Sequence, residues 1–285
     1  MIILLLASVF AFQTRVEAPE KAISKYSLSV VVPEKKQFTD WSEEDHCDSY
    51  KTQQKIVRYW KQQQFADQFL IYGKVSKNED FRWEVVPQFD CNYLITRFTQ
   101  QCKTLWGATF PVKSNGVYDV EWSGEEEDEY ELFASDPFCD REVIEKQWVY
   151  KGELINVLYN YRPIGFGDEK LHFLVLPKNH RPTFYQLSEE EYQESLIVVQ
   201  KLLQHFSQTR SIYEAHLFHK SGKDAGQTVP HWHLHVVLTT SDWHTCLGKF
   251  SVLRNMLFTP SPLGDEELKT KVEKYRGEII PALQY

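Results

Sequence analysis

The sequence predicts an α+β protein, in which an antiparallel sheet is packed against helices, over residues 136–285. The first observation is a set of short apolar runs that have the length of strands: 148–150, 155–159, 171–176, 212–218 and 229–238. The second is a long amphipathic segment between the third and fourth of these runs. Three strands, a helix and two strands in this order are typical of an antiparallel sheet with helices on one face.

The helix between the third and fourth strands begins at a capping box. Ser188 is followed three residues later by Glu191, so that each side chain can accept a backbone N–H that the first turn leaves free. Apolar side chains then recur at helical spacing on one stripe: Tyr192, Leu196, Val199, Leu203 and Phe206. The stripe predicts packing on a sheet. A closing helix is expected from Glu266 to Tyr275.

The residues before 136 predict a smaller mixed α/β unit with flanking linkers. We expect residues 1–40 to be a leader and a polar linker, 41–123 to be an N-terminal unit of unknown function, and 124–135 to be an acidic linker. Within the N-terminal unit, helices are expected at 50–69 and 91–106 and a strand at 81–86, ending before Pro87.

Charge and hydropathy exclude some partners. The net charge of −8 disfavours a nucleic-acid partner, because an acidic surface repels phosphate backbones. The apolar run Ile2–Phe12 is too short for a stable membrane span, which takes about 20 residues. Its length suits a signal segment, but no Lys or Arg precedes it, so a cytoplasmic location is slightly favoured over export. The five cysteines contain no C-x-x-C pair, which disfavours a disulfide scaffold or a four-cysteine zinc site.

The chemistry-bearing feature is a row of alternating histidines, His231, His233 and His235. Side chains of a strand alternate between faces, so the three imidazoles are expected on one face, about 6.6 Å apart. Three interpretations are open: a buried structural cluster, a zinc site, and covalent catalysis in which one imidazole attacks phosphorus while its neighbours orient it or pass protons.

The loop before these histidines favours covalent phosphate chemistry. Gly222 and Gly226 let backbone N–H groups approach a ligand closely. Gln227 and Thr228 add neutral donors that suit phosphate oxygens.

The segment 225–236 resembles the signature of the histidine triad (HIT) superfamily, and is similar to that of the fragile-histidine-triad dinucleoside polyphosphate hydrolases and the nucleoside phosphoramidases. Two upstream blocks, 157–163 and 171–180, are similar to nucleotide-binding strands of the same family. The resemblance covers about 136–243 and does not reach the first 120 residues.

The resemblance implies a nucleotide-phosphate hydrolase that forms a nucleotidyl-histidine intermediate on a dinucleoside polyphosphate or a nucleoside phosphoramidate. His233 is the implied nucleophile and His231 orients it. His235 and His172 line the phosphate pocket and assist the leaving group. His235 stands where the uridylyltransferase branch has Gln, which favours hydrolysis over transfer.

The same resemblance implies the nucleotide-binding residues. Asn160 contacts the ribose, while Gln227 and Thr228, with Gly226, contact the phosphate. Lys220 stands where relatives have an amide near the scissile phosphate, and a cation there could stabilise developing charge. The loop 164–170 is longer than in relatives, which leaves the base and leaving group open.

The expected ligand is a nucleotide, and no cofactor is required. A divalent cation could arrive on the substrate phosphates, but no metal is expected in the protein, because Asp136 stands where some relatives have a cysteine that pairs with Cys139 to bind zinc. Relatives are commonly homodimers, although the extra unit could cover that interface. The alternatives are a non-catalytic nucleotide-binding or scaffold protein and a zinc-dependent hydrolase that uses the three histidines as ligands.

Overall fold

The structure is a computed structural model that describes residues 14–88, 114, 136–240 and 260–284, with scattered positions from 243 to 254. Residues 20, 21, 25, 34–36, 78, 166, 168 and 224 within these ranges are not included. The apolar run Ile2–Phe12, the helix expected at 91–106 and the acidic run lie outside the described residues. In the described part of the chain, every helix is too short or too polar to cross a membrane.

One antiparallel sheet runs through the described part of the molecule and confirms the predicted fold class. Its nine strands are β1 (Arg15–Glu17), β2 (Leu28–Val31), β3 (Gln68–Ser76), β4 (Trp83–Gln88), β5 (Trp148–Lys151), β6 (Ile155–Tyr159), β7 (Leu171–Pro177), β8 (Ile212–Ser221) and β9 (Leu234–Thr240). Their order across the sheet is β1-β2-β4-β3-β8-β9-β7-β6-β5.

Three long helices cover one face of this sheet: α1 (Glu43–Gln62), α3 (Glu189–Thr209) and α4 (Asp265–Leu283). The short α2 (Arg141–Gln147) places Ile144 against Leu158, Leu174 and Leu176 on the other face. The capping box of α3 is confirmed, since Ser188 Oγ accepts Glu191 N–H at 3.1 Å and Glu191 Oε2 accepts Ser188 N–H at 2.9 Å. The apolar stripe of α3 is buried in one core with α1, α4 and the facing strands. The opposite face carries two smaller apolar clusters together with polar side chains such as His172.

The residues before 136 extend the same sheet. Strand β3 pairs with β8 from Phe69 opposite Ser221 to Ser76 opposite Glu214. Helix α1 packs on α3, where Tyr192 donates its hydroxyl proton to Gln53 Oε1 at 3.2 Å. The described N-terminal residues thus share both sheet and core with the segment from 136 onward.

The linker expected within residues 1–40 is wrong at strand β2. Leu28 and Val30 are buried and lie opposite Val85 and Trp83 of β4. The strand is only four residues long and is flanked by polar residues, so its pattern of buried side chains is too short to be recognised in the sequence.

The boundaries of the first helix are also corrected. Ser42 forms a capping box with Asp45, so the helix begins at Glu43, and it ends at Gln62, shortly before Gln64 takes a φ of 53°. Strand β3 begins at Gln68, within the range where the sequence predicted a helix at 50–69. Strand β4 continues through Pro87, because its pairing with β2 stops at Val85 and no ladder bond to β2 is needed there.

Candidate functional site

Two imidazoles meet on the face of the sheet that lies opposite the three long helices. His172 of β7 and His235 of β9 alternate with core residues of their strands, so they point away from the helices. His172 Nε2 lies 2.9 Å from His235 Nδ1. The structure therefore brings together two residues that are 63 positions apart in the sequence, as the resemblance implied.

The hydrogen bonds of these two rings fix where their protons lie. The Ile164 N–H donates to His172 Nδ1 at 3.0 Å, so that nitrogen is an acceptor and the proton of His172 is on Nε2. His172 Nε2–H then donates to His235 Nδ1, which leaves the proton of His235 on Nε2. The other nitrogen of His235, Nε2, is thus a hydrogen-bond donor.

Burial keeps this pair neutral. It lowers the pKa of His172 to about 3, and the nearby His233 lowers it further. Burial also lowers the pKa of His235 well below its usual value, with His233, His172 and Lys220 acting in the same direction. Both rings are therefore neutral near pH 7, as the assignment of one proton to each requires.

His233 has the proton arrangement of a nucleophile. Its Nδ1 donates to the carbonyl oxygen of His231 at 2.7 Å, so its Nε2 carries the free lone pair. Burial lowers the pKa of His233 to about 4, although the bond to His231 opposes the shift. The ring is only partly buried and its centroid lies 4.8 Å from that of His235. A neutral imidazole nitrogen and an imidazole N–H thus stand side by side.

The expected row of three imidazoles is wrong at His231. Strand β9 begins at Leu234, so His231 and His233 lie in the preceding loop, where the alternation of a strand does not apply. The ring of His231 is fully buried, and its Nε2 donates to Pro177 O at 3.0 Å while its Nδ1 lies 2.8 Å from Asp136 Oδ2. His231 thus contacts His233 through its backbone carbonyl.

Beside His231 lies a cluster of four metal-type donors: Asp136, Cys139, His180 and His231, whose ligand atoms all lie within 4.8 Å of one another. Asp136 Oδ2 is 2.7 Å from His180 Nδ1 and 2.9 Å from Cys139 Sγ. Burial and the adjacent Asp136 raise the pKa of the Cys139 thiol to about 12. Burial alone would raise the pKa of Asp136, but hydrogen bonds from Cys139 and His231 outweigh it and lower that pKa. The expectation of a metal-free protein stays a prediction.

Two aromatic rings complete the pocket, and sequence reasoning missed both. Phe138 meets the ring of His233 edge-on, with centroids 5.3 Å apart. Phe218 stacks on His235 at 4.4 Å and 12°. The only signal for Phe218 is the register of β8, which places it opposite His235. Phe138 lies in the same short loop as Asp136 and Cys139, and no periodicity marks it.

The glycine loop adopts the backbone that its sequence predicted, but Gln227 has a different role. Gly222 and Gly226 have φ values of 93° and 85°, which favour glycine. Gln227 Oε1 accepts the Gly222 N–H at 2.9 Å, and its Nε2 donates to Pro182 O at 2.7 Å and Val229 O at 3.0 Å. The side chain of Gln227 therefore holds the loop in shape. Its phosphate contact, and that of the exposed Thr228, stay predictions.

Asn160 and Lys220 border the same histidines. Asn160 is buried, and its Nδ2 lies 3.3 Å from both ring nitrogens of His172, which places the amide against that ring. The Lys220 ammonium lies 5.8 Å from the centroid of Phe218, and its charge contributes to lowering the pKa of both His233 and His235. Both positions fit the predicted nucleotide contacts, which themselves stay predictions.

Residues 141–242 match the family model of the HIT domain. The chain is 33% identical to the nitrilase and fragile histidine triad fusion protein of Caenorhabditis elegans over 81 residues. The aligned segment is 28% of this chain and 18% of that protein. It is 32% identical to the asymmetrical bis(5'-nucleosyl)-tetraphosphatase of Schizosaccharomyces pombe over 91 residues. That aligned segment is 32% of this chain and 48% of that protein. The matched segments span less than half of either relative.

Solved structures share the fold over a larger part of the chain. A uridylyltransferase superimposes with a TM-score of 0.53 at 12% identity, over 90% of this chain and 74% of that one. An ADP-glucose phosphorylase from Arabidopsis thaliana gives 0.52 at 11% identity, over 94% of this chain and 81% of that one. Residues 141–242 are therefore similar to a HIT domain, and they lie within a larger sheet that the described N-terminal residues extend.

Proposed function

We propose that this protein is a HIT-type nucleotide-phosphate hydrolase in which His233 forms a nucleotidyl-histidine intermediate. The observation that carries the proposal is the proton arrangement of the site. The proton of His233 is held on Nδ1 by the His231 carbonyl, so Nε2 is free to attack, and the Nε2–H of His235 stands beside it.

In the first half of the reaction, His233 Nε2 bonds to the α-phosphorus and the bond from phosphorus to the leaving group breaks. The imidazole keeps its Nδ1 proton and becomes positively charged, and the His231 carbonyl stabilises that charge through the hydrogen bond of 2.7 Å. The electron pair of the broken bond leaves with the leaving group, whose developing charge is stabilised by the Nε2–H of His235.

In the second half, water attacks the same phosphorus and the bond from phosphorus to His233 Nε2 breaks. His233 returns to its neutral state, and the proton that water loses neutralises the leaving group or passes to solvent. No cofactor takes part in either step, and any divalent cation that contacts the reacting phosphates arrives with the substrate.

Two features support a substrate with several phosphates or an activated phosphorus. Lys220 supplies a positive charge beside the two reacting imidazoles, which suits oxygens that carry more than one negative charge. The relative from S. pombe is named as a bis(5'-nucleosyl)-tetraphosphatase. We therefore propose dinucleoside polyphosphates first and nucleoside phosphoramidates second.

The test compares wild type with His233→Ala and with the control His205→Ala, which alters a histidine on α3. Each protein is incubated with dinucleoside polyphosphates and with adenosine phosphoramidate, and quenched samples are searched by mass spectrometry for a nucleotide on residues 231–235. We expect a loss of at least about 10³-fold in His233→Ala and full activity in the control. Equal turnover by all three proteins would overturn the proposal, and tight nucleotide binding without turnover by wild type would favour the scaffold alternative.

We further propose that the cluster of Asp136, Cys139, His180 and His231 holds a divalent cation, against the expectation from the sequence. A neutral imidazole has one N–H, and His231 uses it on Pro177 O. The hydrogen bond between its Nδ1 and Asp136 Oδ2 needs a proton, and a divalent cation would displace that proton and bind both atoms. One oxygen, one sulfur and two nitrogens form a donor set that zinc accepts.

Such an ion would fix the loop that holds Phe138 against His233, and it would take no part in the reaction. Only His231 of the three alternating histidines belongs to the described cluster, so the arrangement does not support a zinc hydrolase with three histidine ligands. Elemental analysis of protein purified without chelator should find about one zinc per chain, and little in the double variant Cys139→Ser, His180→Ala. A zinc-free wild type that also fails to take up added zinc would overturn this proposal.

A further inference from the structure

The loop between β6 and β7 determines how His172 is protonated. The Ile164 N–H donates to His172 Nδ1, so the backbone of this loop decides which nitrogen of His172 carries the proton. If that contact were lost, the proton of His172 could move to Nδ1 and the one on His235 could shift to the nitrogen facing His172. His235 would then present a lone pair to the leaving group in place of an N–H.

The far end of this loop is held by charged side chains on two helices. Glu169 Oε1 accepts Lys274 Nζ at 2.6 Å, and Glu169 Oε2 accepts Arg210 Nε at 3.2 Å. Arg210 is the residue that ends α3, and its Nη2 also donates to Glu278 of α4 at 2.8 Å. We call Glu169, Arg210, Lys274 and Glu278 the Glu169 clamp.

The near end of the loop is held by the same C-terminal segment. The Leu263 N–H, just before α4, donates to Tyr161 O at 2.9 Å. At the far end the Tyr159 hydroxyl donates to Lys170 O at 2.9 Å. The C-terminal segment that carries α4 therefore contacts the loop on both sides of Ile164. This segment lies beyond residues 141–242, which match the HIT domain model.

We propose that the Glu169 clamp is a positioning device for the reaction, and that Glu169 and Lys274 are positioning residues. By fixing the loop, the clamp keeps the Ile164 N–H on His172 and so keeps the Nε2–H of His235 directed at the leaving group. One carboxylate binds two cations here, so its removal leaves Arg210 with Glu278 alone and takes from Lys274 its bond to the loop. This inference rests on the proposed hydrolase function.

The kinetic test uses nucleoside monophosphate aryl esters that share one nucleotide and differ in the leaving phenol. The Nε2–H of His235 matters most where most negative charge develops on the leaving oxygen. Glu169→Gln should therefore lower kcat about tenfold more for a phenyl ester than for a 4-nitrophenyl ester, with little change in KM. Lys274→Met, which keeps the bond from Glu169 to Arg210, should give a smaller effect of the same kind. The control Glu273→Gln makes the same chemical change at an exposed position of α4 and should match wild type.

A second measurement does not depend on turnover. Long-range ¹H–¹⁵N correlation spectra should show His172 protonated on Nε2 in wild type and in Glu273→Gln, and a shifted proton population in Glu169→Gln. Equal losses on both esters, or an unchanged His172 proton in Glu169→Gln, would overturn the clamp. Failure of the hydrolase proposal would appear separately, as the absence of turnover of any substrate by wild type, and the spectra would then decide on the clamp alone.

Discussion

The buried carboxylate of Glu191 joins the start of α3 to residues 179–181, which contact the segment that carries His231 and His233. Glu191 is 1% exposed, and it accepts hydrogen bonds from the Ser188 N–H, from Asn179 Nδ2 at 3.2 Å and from Arg181 Nε at 2.9 Å. The carbonyl of Arg181 in turn accepts the Trp232 N–H, one residue before His233. The perturbation of interest is therefore Glu191→Gln, with Glu191→Ala as the larger change.

The magnitude follows from the bonds that are lost. Loss of the capping box costs about 1 kcal/mol. Breaking a fully buried ion pair costs about 3–5 kcal/mol, but the Arg181 side chain is 32% exposed, so water recovers part of this and about 1–2 kcal/mol remains. Glu191→Ala should thus lower the free energy of unfolding by about 2–3 kcal/mol, and Tm by about 5 °C for a chain of this size. Glu191→Gln, which keeps a neutral acceptor for Ser188, should cost about half as much.

The effect should depend on pH with a definite sign. Burial would raise the pKa of Glu191, but hydrogen bonds from Arg181, the Ser188 N–H and Asn179 outweigh it, so the pKa in the folded state is lower than the ordinary value of 4.5. A carboxyl with a lowered folded-state pKa stabilises the protein fully above its unfolded pKa and loses that contribution as pH falls through the folded one. The gap between wild type and Glu191→Gln should be constant from pH 7 to about 5 and shrink below about 4.5.

Urea unfolding followed by tryptophan fluorescence at pH 7, 5 and 3.5 measures this gap. Glu190→Gln is the matched control, because Glu190 lies in the same first turn but is exposed. It should change stability by no more than a few tenths of a kcal/mol. A Glu191→Gln protein as stable as wild type at pH 7, or a gap that widens at low pH, would refute the reasoning.

Three further perturbations test other parts of the site. His172→Phe keeps a ring but removes the partner of His235, and should lower kcat by about 10²-fold or more in steady-state assays, so an unchanged kcat would contradict the proton arrangement. Lys220→Met should weaken binding of the product nucleotide about tenfold by calorimetry while Lys220→Arg retains it, and equal affinity in both would remove Lys220 from the phosphate site. Gly222→Ala should cost about 1–2 kcal/mol in thermal unfolding, because φ is 93° and the added Cβ would overlap the Gln68 side chain, whereas Gly277→Ala, with open space around it, should be neutral or stabilising.

The elements that the sequence predicted well are those whose signal is local. The start of α3 is encoded by Ser188 and Glu191 alone, and its buried face by apolar residues at helical spacing. Strand β3 was hidden because Phe69 also continues the apolar pattern of α1, and the stop between them is a single residue, Gln64, with a positive φ. Its place beside β8 depends on pairing across some 140 positions, which no local pattern encodes.

The site shows the same division. The family resemblance placed His172 and His235 in one pocket, and the structure puts their rings in contact. The resemblance could not show that β9 begins only at Leu234. Because of this late start, His231 is not a third ring in the row, and its backbone carbonyl accepts a hydrogen bond from His233. The positions of Phe138 and of the metal-type cluster depend on the path of the loop at 136–140. A short loop without periodic residues does not indicate that path in the sequence.

The ladder between β3 and β8 has a consequence for any attempt to isolate residues 136–285. A chain that began at residue 136 would lose β3 and leave β8, a strand of ten residues, with one row of its N–H and C=O groups unpaired. Long exposed strand edges of this kind recruit other chains, and a second β8 is an antiparallel partner of matching length. The N-terminal strands therefore cover an edge of β8 that would otherwise be open to pairing with a second chain.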